Sequence, residues 1–382
     1  MRSIRILNKI GWIILLGMSL ASCRVNGGED PMEIVNPNIG NENVIDLQGI
    51  IRVIQDSLNG QDIVVVGSQE INFVSSFLNP SKESFVALQD EYPAVMQGAD
   101  GTKYDFFGVG LEGPQQGSRL SHTNGLMGFW MTFGAFYPGL EIYGGDPPDP
   151  AAKIEVSTNS EWLIPSTRVF DGGPGKDGIP SLENLVFRLA DRVDFMAPED
   201  LVIGFRVGDD IRAYPHKILD WHEIVNDDVD DQVFTSITYC PLTGTASAWN
   251  REIGGKVTTF GVSGLLYNTN LMPYDRETDS YWSQMRFDCV NGSSIGQEIE
   301  VQMIVETSWN TWLNLYPNSI VLTPETGFNR NYQQYPYGDY RTNDNNIIFP
   351  LEYDDQRLPR KERVHAVILD GVAKAYPLPI FN

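Results

Sequence analysis

Short apolar runs separated by turn residues make up most of this chain of 382 residues. Runs at residues 63–66, 201–207, 233–239 and 256–262 are rich in β-branched and aromatic side chains, with Gly, Asn, Asp or Pro close by. Runs of this length and composition are typical of β-strands. The chain also has 36 glycines and 23 prolines, which argue against an all-helical body.

Two segments instead have the apolar spacing of short helices. Residues 128–136 and 307–315 each lead into a Tyr-Pro pair, and the residue before a proline disfavours helical backbone. We therefore predict a mostly β protein, of the β-rich α+β class, with a few short helices.

A weak internal repeat runs through the body of the chain. The matching pieces are 53–56 with 224–227, 63–66 with 234–237, Trp130 with Trp309, and Tyr137-Pro138 with Tyr316-Pro317. The first two pairs are 171 positions apart and the last two are 179 apart. The repeat predicts two β-rich halves that form one body with pseudo-twofold symmetry.

A second match involves the end of the chain. Residues 201–215 resemble residues 364–377, and both segments end in Ala-Tyr-Pro. In the second half this hairpin precedes the repeated strands, whereas the first half has no such hairpin before it. We therefore expect residues 364–382 to lie beside residues 45–77 and to complete the first half.

These patterns divide the chain into seven parts. They are a leader 1–22, a tether 23–44, a first half 45–150, a connector 151–200, a second half 201–330, a long loop 331–363 and a closing hairpin 364–382. The long loop is rich in tyrosine, and its tyrosines are candidates for the lining of a ligand cleft.

The N-terminal residues have the pattern of an export signal. Arg2, Arg5 and Lys9 precede the apolar residues 10–21, and the sequence Leu-Ala-Ser then ends at Cys23. The apolar stretch is shorter than the ~20 residues that a membrane span needs, and its flanks match a signal peptide. This predicts a lipoprotein of the cell envelope, anchored through lipid on Cys23, at the outer membrane.

The formal net charge of −23 limits the classes of molecule that can bind this protein. Nucleic-acid binding requires a basic surface, so nucleic acid is excluded as a partner. Anionic headgroups would repel this protein as well, which leaves the lipid as the contact with the membrane. A small-molecule or protein partner stays open.

Only the second half carries a histidine and a cysteine where the repeats match. His222 and Cys240 fall on Ile51 and Gln69 of the first half. A hairpin ending at Cys240 would bring the two side chains together, and an imidazole beside a thiol can activate it as a nucleophile. Cys240 and His222 are therefore candidate catalytic residues.

The same pair can also bind a soft or borderline metal ion. His216 and Met272 would add an imidazole and a thioether to Cys240 and His222, a ligand set that copper or zinc accepts. The simplest alternative is a buried free cysteine beside a histidine that is bonded to a backbone carbonyl.

A different class of function follows if the cysteines pair. Once Cys23 carries lipid, Cys240 and Cys289 remain in an oxidising compartment. A Cys240–Cys289 disulfide would favour a non-catalytic binding or scaffold lipoprotein. The sequence does not decide between this class and an enzyme.

Several motifs resemble those of the domain-of-unknown-function 3179 family. They lie at residues 171–181, 212–215, 221–227, 238–242, 260–264, 335–343 and 357–363. The resemblance implies an exported or lipid-anchored bacterial protein and assigns no activity. Members often have Cys-Pro-Leu-Cys where this chain has Cys-Pro-Leu-Thr, so Thr243 removes a chelating or redox Cys-x-x-Cys.

Overall fold

The computed structural model describes residues 49–154, 157, 160–229 and 232–382. Most elements of these residues are β-strands, and the three α-helices among them are short, so the predicted mostly β class is confirmed. The leader, the tether and Cys23 lie outside the described residues. None of the described helices combines the length and the apolarity that a membrane crossing requires.

The first half contains nine strands and one α-helix among the described residues. They are β1 (Arg52–Leu58), β2 (Gln61–Ser68), β3 (Phe73–Leu78), β4 (Phe85–Ala87), β5 (Met96–Gly98), β6 (Lys103–Tyr104), β7 (Gly110–Glu112), β8 (Asn124–Phe129), α1 (Trp130–Phe136) and β9 (Glu141–Ile142). The connector then adds β10 (Val169–Asp171) and β11 (Phe187–Leu189).

The second half and the closing hairpin follow. They comprise β12 (Leu201–Val207), β13 (Asp210–Pro215), α2 (His216–His222), β14 (Ile224–Asp228), β15 (Phe234–Cys240), β16 (Thr245–Asn250), β17 (Glu252–Ile253), β18 (Lys256–Val257), β19 (Phe260–Tyr267), β20 (Asn270–Asp275), β21 (Tyr281–Ser283), β22 (Asp288–Asn291), β23 (Val301–Gln302), β24 (Ile304–Ser308), α3 (Trp309–Leu315), β25 (Ile320–Leu322), β26 (Arg363–Leu369) and β27 (Val372–Pro377).

Two sheets have the same strand order. Hairpin β26–β27 lies between β8, antiparallel to β26, and β9, parallel to β27. Hairpin β12–β13 lies between β24, antiparallel to β12, and β25, parallel to β13. In each sheet an α-helix connects the two strands that flank the hairpin, α1 in the first and α3 in the second. Strand β11 extends the second sheet beyond β25.

Antiparallel meanders recur as well. Strands β1–β2–β3 correspond to β14–β15–β16, and β4–β5–β6–β7 correspond to β19–β20–β21–β22. Strand order does not test a symmetry axis in space, so the pseudo-twofold relation of the halves stays a prediction.

The pairing of the meanders corrects one residue match. Cys240 ends β15 and pairs with Thr245, while Ser68 ends β2 and pairs with Phe73. Ser68, not Gln69, therefore occupies the place of Cys240 in the first half. The turn between β14 and β15 is longer than the two-residue turn between β1 and β2, which shifts the match by one position.

The closing hairpin is bound to the first meander by a partly buried polar contact. The Tyr376 hydroxyl donates to the Asp56 carboxylate over 2.8 Å, and the Lys374 ammonium lies 2.7 Å from the same carboxylate. Side chains of the hairpin, including Val367, share a hydrophobic cluster with Ile63 of β2. Strands that are far apart in sequence are joined here.

The second half repeats this contact. The Tyr214 hydroxyl donates to the Asp227 carboxylate over 2.5 Å, and Arg212 donates to the same carboxylate over 2.8 and 2.9 Å. Tyr214 and Tyr376 are the tyrosines of the two Ala-Tyr-Pro segments. Each hairpin thus uses its tyrosine and a cation two residues earlier to hold the aspartate of the neighbouring meander.

Removal of the Asp56 charge tests the closure of the first half. We expect Asp56→Asn to lower the free energy of unfolding by about 2 kcal/mol at pH 7, the range for hydrogen bonds to a charged group. Burial raises the pKa of Asp56, but hydrogen bonds from Lys374, Ser57 and Tyr376 outweigh it, so that the net pKa is lowered. A lowered carboxyl pKa contributes stability that is lost as pH falls through the folded value.

The difference between parent and variant should therefore shrink below pH ~4, the usual carboxyl range. Urea unfolding followed by tryptophan fluorescence at several pH values measures it. Asp191→Asn removes an exposed carboxylate and serves as the matched control. Equal effects of the two variants would contradict the role given to Asp56.

Candidate functional site

Cys240 lies where the second meander meets the first half. The carbonyl of Cys240 accepts from the N–H groups of Thr243 and Gly244, which closes a tight turn after β15. Gly244 has a φ of +63°, a conformation that glycine adopts without strain. The Thr243 carbonyl in turn accepts from the N–H of Phe129, at the end of β8.

Polar groups surround the sulfur although the thiol is 1% exposed. The Cys240 Sγ donates to the Thr269 carbonyl over 3.7 Å. Burial raises the pKa of the Cys240 thiol to about 11, and Glu223 adds to the rise. Hydrogen bonds from the Thr243 hydroxyl and from the N–H groups of Leu271 and Leu242 favour the thiolate, so they partly oppose this rise in pKa.

His222 does not pair with Cys240, contrary to the sequence prediction. Its Nδ1 lies 2.7 Å from the Pro180 carbonyl, and its Nε2 lies 2.7 Å from the Tyr332 hydroxyl. A carbonyl only accepts, so Nδ1 carries the proton and Nε2 accepts from Tyr332. Burial lowers the pKa of His222 to about 4, and the ring is a neutral structural group.

The four predicted metal ligands do not converge either. The His216 Nε2 lies 2.9 Å from the Glu306 carboxylate, and the His216 ring packs on Tyr239. Met272 is buried in the same hydrophobic cluster as Cys240. Within the described ranges, His, Cys, Asp and Glu side chains form no group of three or more that is arranged to hold a metal ion.

The alternative disulfide between Cys240 and Cys289 is not formed. Cys240 and Cys289 are both free and buried. The Cys289 Sγ donates to the Asn291 carbonyl over 3.3 Å, and its own strand β22 pairs with β21. The two thiols are therefore held in different surroundings, and the scaffold alternative loses the bond on which it was based.

Glu223 is the first of two ionisable groups near Cys240 that the sequence did not single out. It follows the last residue of α2 and has a φ of +58°, a conformation that favours glycine. Its side chain is buried, and no described residue hydrogen-bonds to its carboxyl. Burial alone raises the pKa of Glu223 to about 8, so the carboxyl is mostly protonated at pH 7.

Lys361 is the second group. Its Nζ is buried without a hydrogen-bond partner among the described residues and lies 3.1 Å from the ring centre of Tyr340. Burial lowers the pKa of Lys361 to about 7, which Asp344 and Cys240 partly oppose. An amine with this pKa can both accept and release a proton at neutral pH.

The lack of partners sets these two groups apart from the other buried charges. Among the described residues, the other buried carboxyl groups have hydrogen-bond or ion-pair partners: Asp105, Asp220, Asp227, Asp275, Glu306 and Asp355. A buried charge without a partner costs several kcal/mol, so a neutral form is favoured instead. Unpaired ionisable groups cluster at functional sites.

The tyrosine loop, residues 331–362, covers Cys240. The Tyr335 hydroxyl donates to the Pro241 carbonyl over 3.0 Å, and the Arg341 guanidinium, paired with Asp220, stacks on Tyr335 at 3.8 Å. The Tyr340 hydroxyl is buried without a hydrogen-bond partner in the described chain. The tyrosines of this loop thus line the surroundings of Cys240.

A narrow cavity of about 60 Å³ reaches Glu223. Tyr337 and Glu223 are the lining residues with polar side chains. The apolar side chains of the wall are Ile179, Leu242, Val262, Leu265, Leu266, Leu271 and Phe349. Leu242 and Leu271 are also the residues whose N–H groups face the Cys240 sulfur. Cys240 itself does not line the cavity.

The glycine-rich segment 171–178 forms one side of this cavity. The Gly172 N–H donates to the Gly264 carbonyl over 2.7 Å, and the Asp177 N–H donates to the Val262 carbonyl. A Cβ on Gly264 would lie 2.8 Å from the Gly175 carbonyl, so close packing requires glycine there. The segment is a wall of the site that is bonded to β19.

Two comparisons with known proteins find no match, and one identifies a family. No curated protein and no solved structure matches the chain. A family model described as "Protein of unknown function (DUF3179)" matches residues 176–380. The match includes Glu223, Cys240, the tyrosine loop and Lys361.

The backbone at Glu223 allows a test of its role. We expect Glu223→Gly to be more stable than Glu223→Ala by about 1 kcal/mol, because glycine adopts a positive φ without the cost of a Cβ. Neither change removes a hydrogen bond made by the described residues, so both variants should retain most of the parent's stability. Urea unfolding measures the three midpoints.

Glu306→Ala is the matched control. Glu306 is buried like Glu223 but is paired with His216 and Arg363, so its removal should cost about 3 kcal/mol or more. A loss of stability at Glu223→Ala as large as that at Glu306→Ala would show that Glu223 is a structural residue.

Proposed function

The chain belongs to the DUF3179 family, and we propose that this member does thiol chemistry at Cys240, with Glu223 and Lys361 exchanging protons. One observation carries the proposal: a thiol, a carboxyl and an amine lie buried together without ionic partners. Each of the two ionisable groups acts electrostatically on Cys240. In a purely structural core, burying these groups without partners would lower the stability of the fold and serve no purpose.

The chemistry of the three groups is complementary. Cys240 is a poor nucleophile as a thiol, because the thiolate is the reactive form. The amine of Lys361 and the carboxyl of Glu223 have pKa values of about 7 and about 8. Both values are close to neutral pH, and a proton donor or acceptor works best at a pH near its own pKa. Lys361 takes the proton of the thiol, and the protonated Glu223 donates to the reacting molecule.

The groups around the sulfur support the charged form. The Thr243 hydroxyl and the N–H groups of Leu242 and Leu271 would hold a thiolate as it forms. Asn270 donates to the Thr243 oxygen over 2.9 Å and to Gln284 over 2.9 Å, which fixes the direction of the threonine side chain. Such preorganised donors stabilise charge that develops during a reaction.

The place of this chemistry follows from the N-terminal residues. We propose that the protein is exported, carries lipid on Cys23 and acts in the cell envelope at the outer membrane. The basic residues, the apolar stretch and Leu20-Ala21-Ser22-Cys23 support this location.

Alkylation of Cys240 tests the thiol chemistry. In a Cys289→Ser background we expect iodoacetamide to label Cys240. Lys361→Met should slow labelling at pH 7–8 by about tenfold, the low end for loss of a proton acceptor. Glu223→Gln should speed labelling at pH 9–10, because the carboxylate that forms above pH ~8 raises the thiol pKa, and glutamine carries no charge.

One variant should slow the labelling of Cys240 and the other should speed it. These opposite changes in rate distinguish electrostatic coupling from a general loosening of the fold. Cys289 in a Cys240→Ser background is the matched control, and neither variant should change its rate of labelling. Cys240 that resists iodoacetamide while the folded protein is intact would disprove the proposal. Intact-protein mass spectrometry over time gives the rates.

Lipid attachment is tested separately. Expression in bacterial cells with radiolabelled palmitate should label the parent protein and leave Cys23→Ala unlabelled, because the lipid is attached through that thiol. Cys240→Ala is the control and should retain the label. Equal labelling of parent and Cys23→Ala would contradict the anchor.

A further inference from the structure

We infer that the cavity beside Glu223 binds a short primary alkylammonium ion, with the ammonium group on the Glu223 carboxylate and the alkyl chain against the apolar wall. The inference requires no contact between the ligand and Cys240, which does not line the cavity. It goes beyond the proposed thiol chemistry and does not depend on it. Its basis is the lining of the cavity and the missing partner of Glu223.

The side chain is the part of Glu223 that is free to bind a ligand. The backbone is already used, because its N–H donates to the Leu219 carbonyl and its carbonyl accepts from the N–H of Tyr239. Glu223 is 7% exposed, and its carboxyl oxygens are not among the atoms of the described chain that have neither accessible surface nor a hydrogen bond. Glu223 also lines the cavity. A ligand there can therefore reach the carboxyl.

A cation is the partner that this carboxyl lacks. The other buried carboxyl groups of the described chain have hydrogen-bond or ion-pair partners. Glu223 has none, and no Lys or Arg is among the described residues that line the cavity. A buried carboxylate is stable only when a positive charge accompanies it. An ammonium group supplies that charge together with N–H donors, and charge-assisted hydrogen bonds are about twice as strong as neutral ones.

The rest of the wall favours an organic cation over a metal ion. Glu223 is the only acidic residue among the described lining residues, whereas Mg²⁺ and Ca²⁺ require several oxygen ligands. Tyr337 and Phe349 also line the cavity, and aromatic rings attract ammonium groups. Aliphatic side chains remain for contact with the alkyl chain: Ile179, Leu242, Val262, Leu265, Leu266 and Leu271.

The volume of the cavity limits the size of the ion. A volume of about 60 Å³ holds roughly two groups of the size of water. The ammonium group and the first carbon of a straight chain fit, and a branched carbon next to the nitrogen does not. The net charge of −23 attracts every cation to the protein, so the shape of the cavity must provide the selectivity.

The affinity should depend on pH with a sign that a neutral ligand would not give. Burial raises the pKa of Glu223 to about 8, so only about a tenth of the carboxyl is ionised at pH 7 and about nine tenths at pH 9. The titratable neighbours Cys240 and Tyr337 have pKa values raised above this range and stay neutral. An alkylamine, like lysine, keeps its proton up to pH ~10.

An ammonium ion binds the ionised carboxyl, so its apparent affinity should rise about tenfold from pH 7 to pH 9. Binding at pH 7 should release close to one proton, which the carboxyl loses as the ion binds. A neutral ligand that accepts a hydrogen bond from the protonated carboxyl should instead bind more weakly as pH rises.

Calorimetric titration of the full chain with propylammonium chloride tests the site. Measurements at pH 7 and pH 9 give the change in affinity, and heats in two buffers of different ionisation enthalpy give the number of protons released. tert-Butylammonium has the same charge and a branched carbon, and 1-propanol has the same chain without the charge. Both control ligands should bind about tenfold more weakly than propylammonium at pH 9, or weaker still.

Glu223→Gln keeps the shape of the side chain and removes its charge. We expect this variant to bind propylammonium about tenfold more weakly at pH 9 and to lose both the proton release and the pH dependence. Asp191→Asn removes an exposed carboxylate and should bind as the parent does. The comparison of ligands on the parent chain tests the site even if Glu223→Gln does not fold.

Three outcomes would overturn the inference: equal affinity for propylammonium and tert-butylammonium, equal affinity in the parent and Glu223→Gln, or an affinity that does not rise with pH. Iodoacetamide labelling of Cys240 without binding of propylammonium would overturn the ligand and leave the thiol chemistry standing. Binding without labelling would do the reverse. A bound ammonium would keep Glu223 ionised, so it would withhold the proton that the thiol chemistry takes from this residue.

Discussion

The fold depends on an aspartate that receives a tyrosine hydroxyl and a cation at the edge of each meander. Asp227 holds hairpin β12–β13 through Tyr214 and Arg212, and Asp56 holds hairpin β26–β27 through Tyr376 and Lys374. A buried carboxylate is stable only with such partners. Both hairpins are therefore fixed to the meander that each must cover, and the turn that carries Cys240 extends from one of these meanders.

The proposed site differs from the rest of the interior in the pairing of its buried ionisable groups. Elsewhere in the described chain the buried carboxylates have partners, and near Cys240 the carboxyl of Glu223 and the amine of Lys361 have none. Backbone strain accompanies them, because Glu223 and Thr269, whose carbonyl accepts from the thiol, both have positive φ. Strained and unpaired groups persist where the surrounding structure compels them, and they concentrate at functional sites.

Much of the fold could be predicted from the sequence, and the site only in part. Apolar runs between turn residues revealed the strands, and the Tyr-Pro pairs marked the ends of α1 and α3. The sequence also singled out Cys240 as a candidate, because a reactive side chain in one repeat only is a visible asymmetry. It could not show the surroundings of neighbouring side chains. At the end of α2 the His222 ring contacts the Pro180 carbonyl, while Glu223, one position later, raises the pKa of the Cys240 thiol. Lys361 belongs to a loop without periodicity, and a resemblance to family motifs was its only signal.

The contact between Tyr376 and Asp56 spans 320 positions of the chain. Such a long separation gives the first half a high contact order, and contacts of this kind form slowly because a large loop must close first. During synthesis β1 and β2 leave the ribosome long before the hairpin that covers them. The apolar strands of the first meander therefore stay exposed until the hairpin is made. A chain with exposed apolar strands can bind chaperones and other machinery that handles unfolded protein.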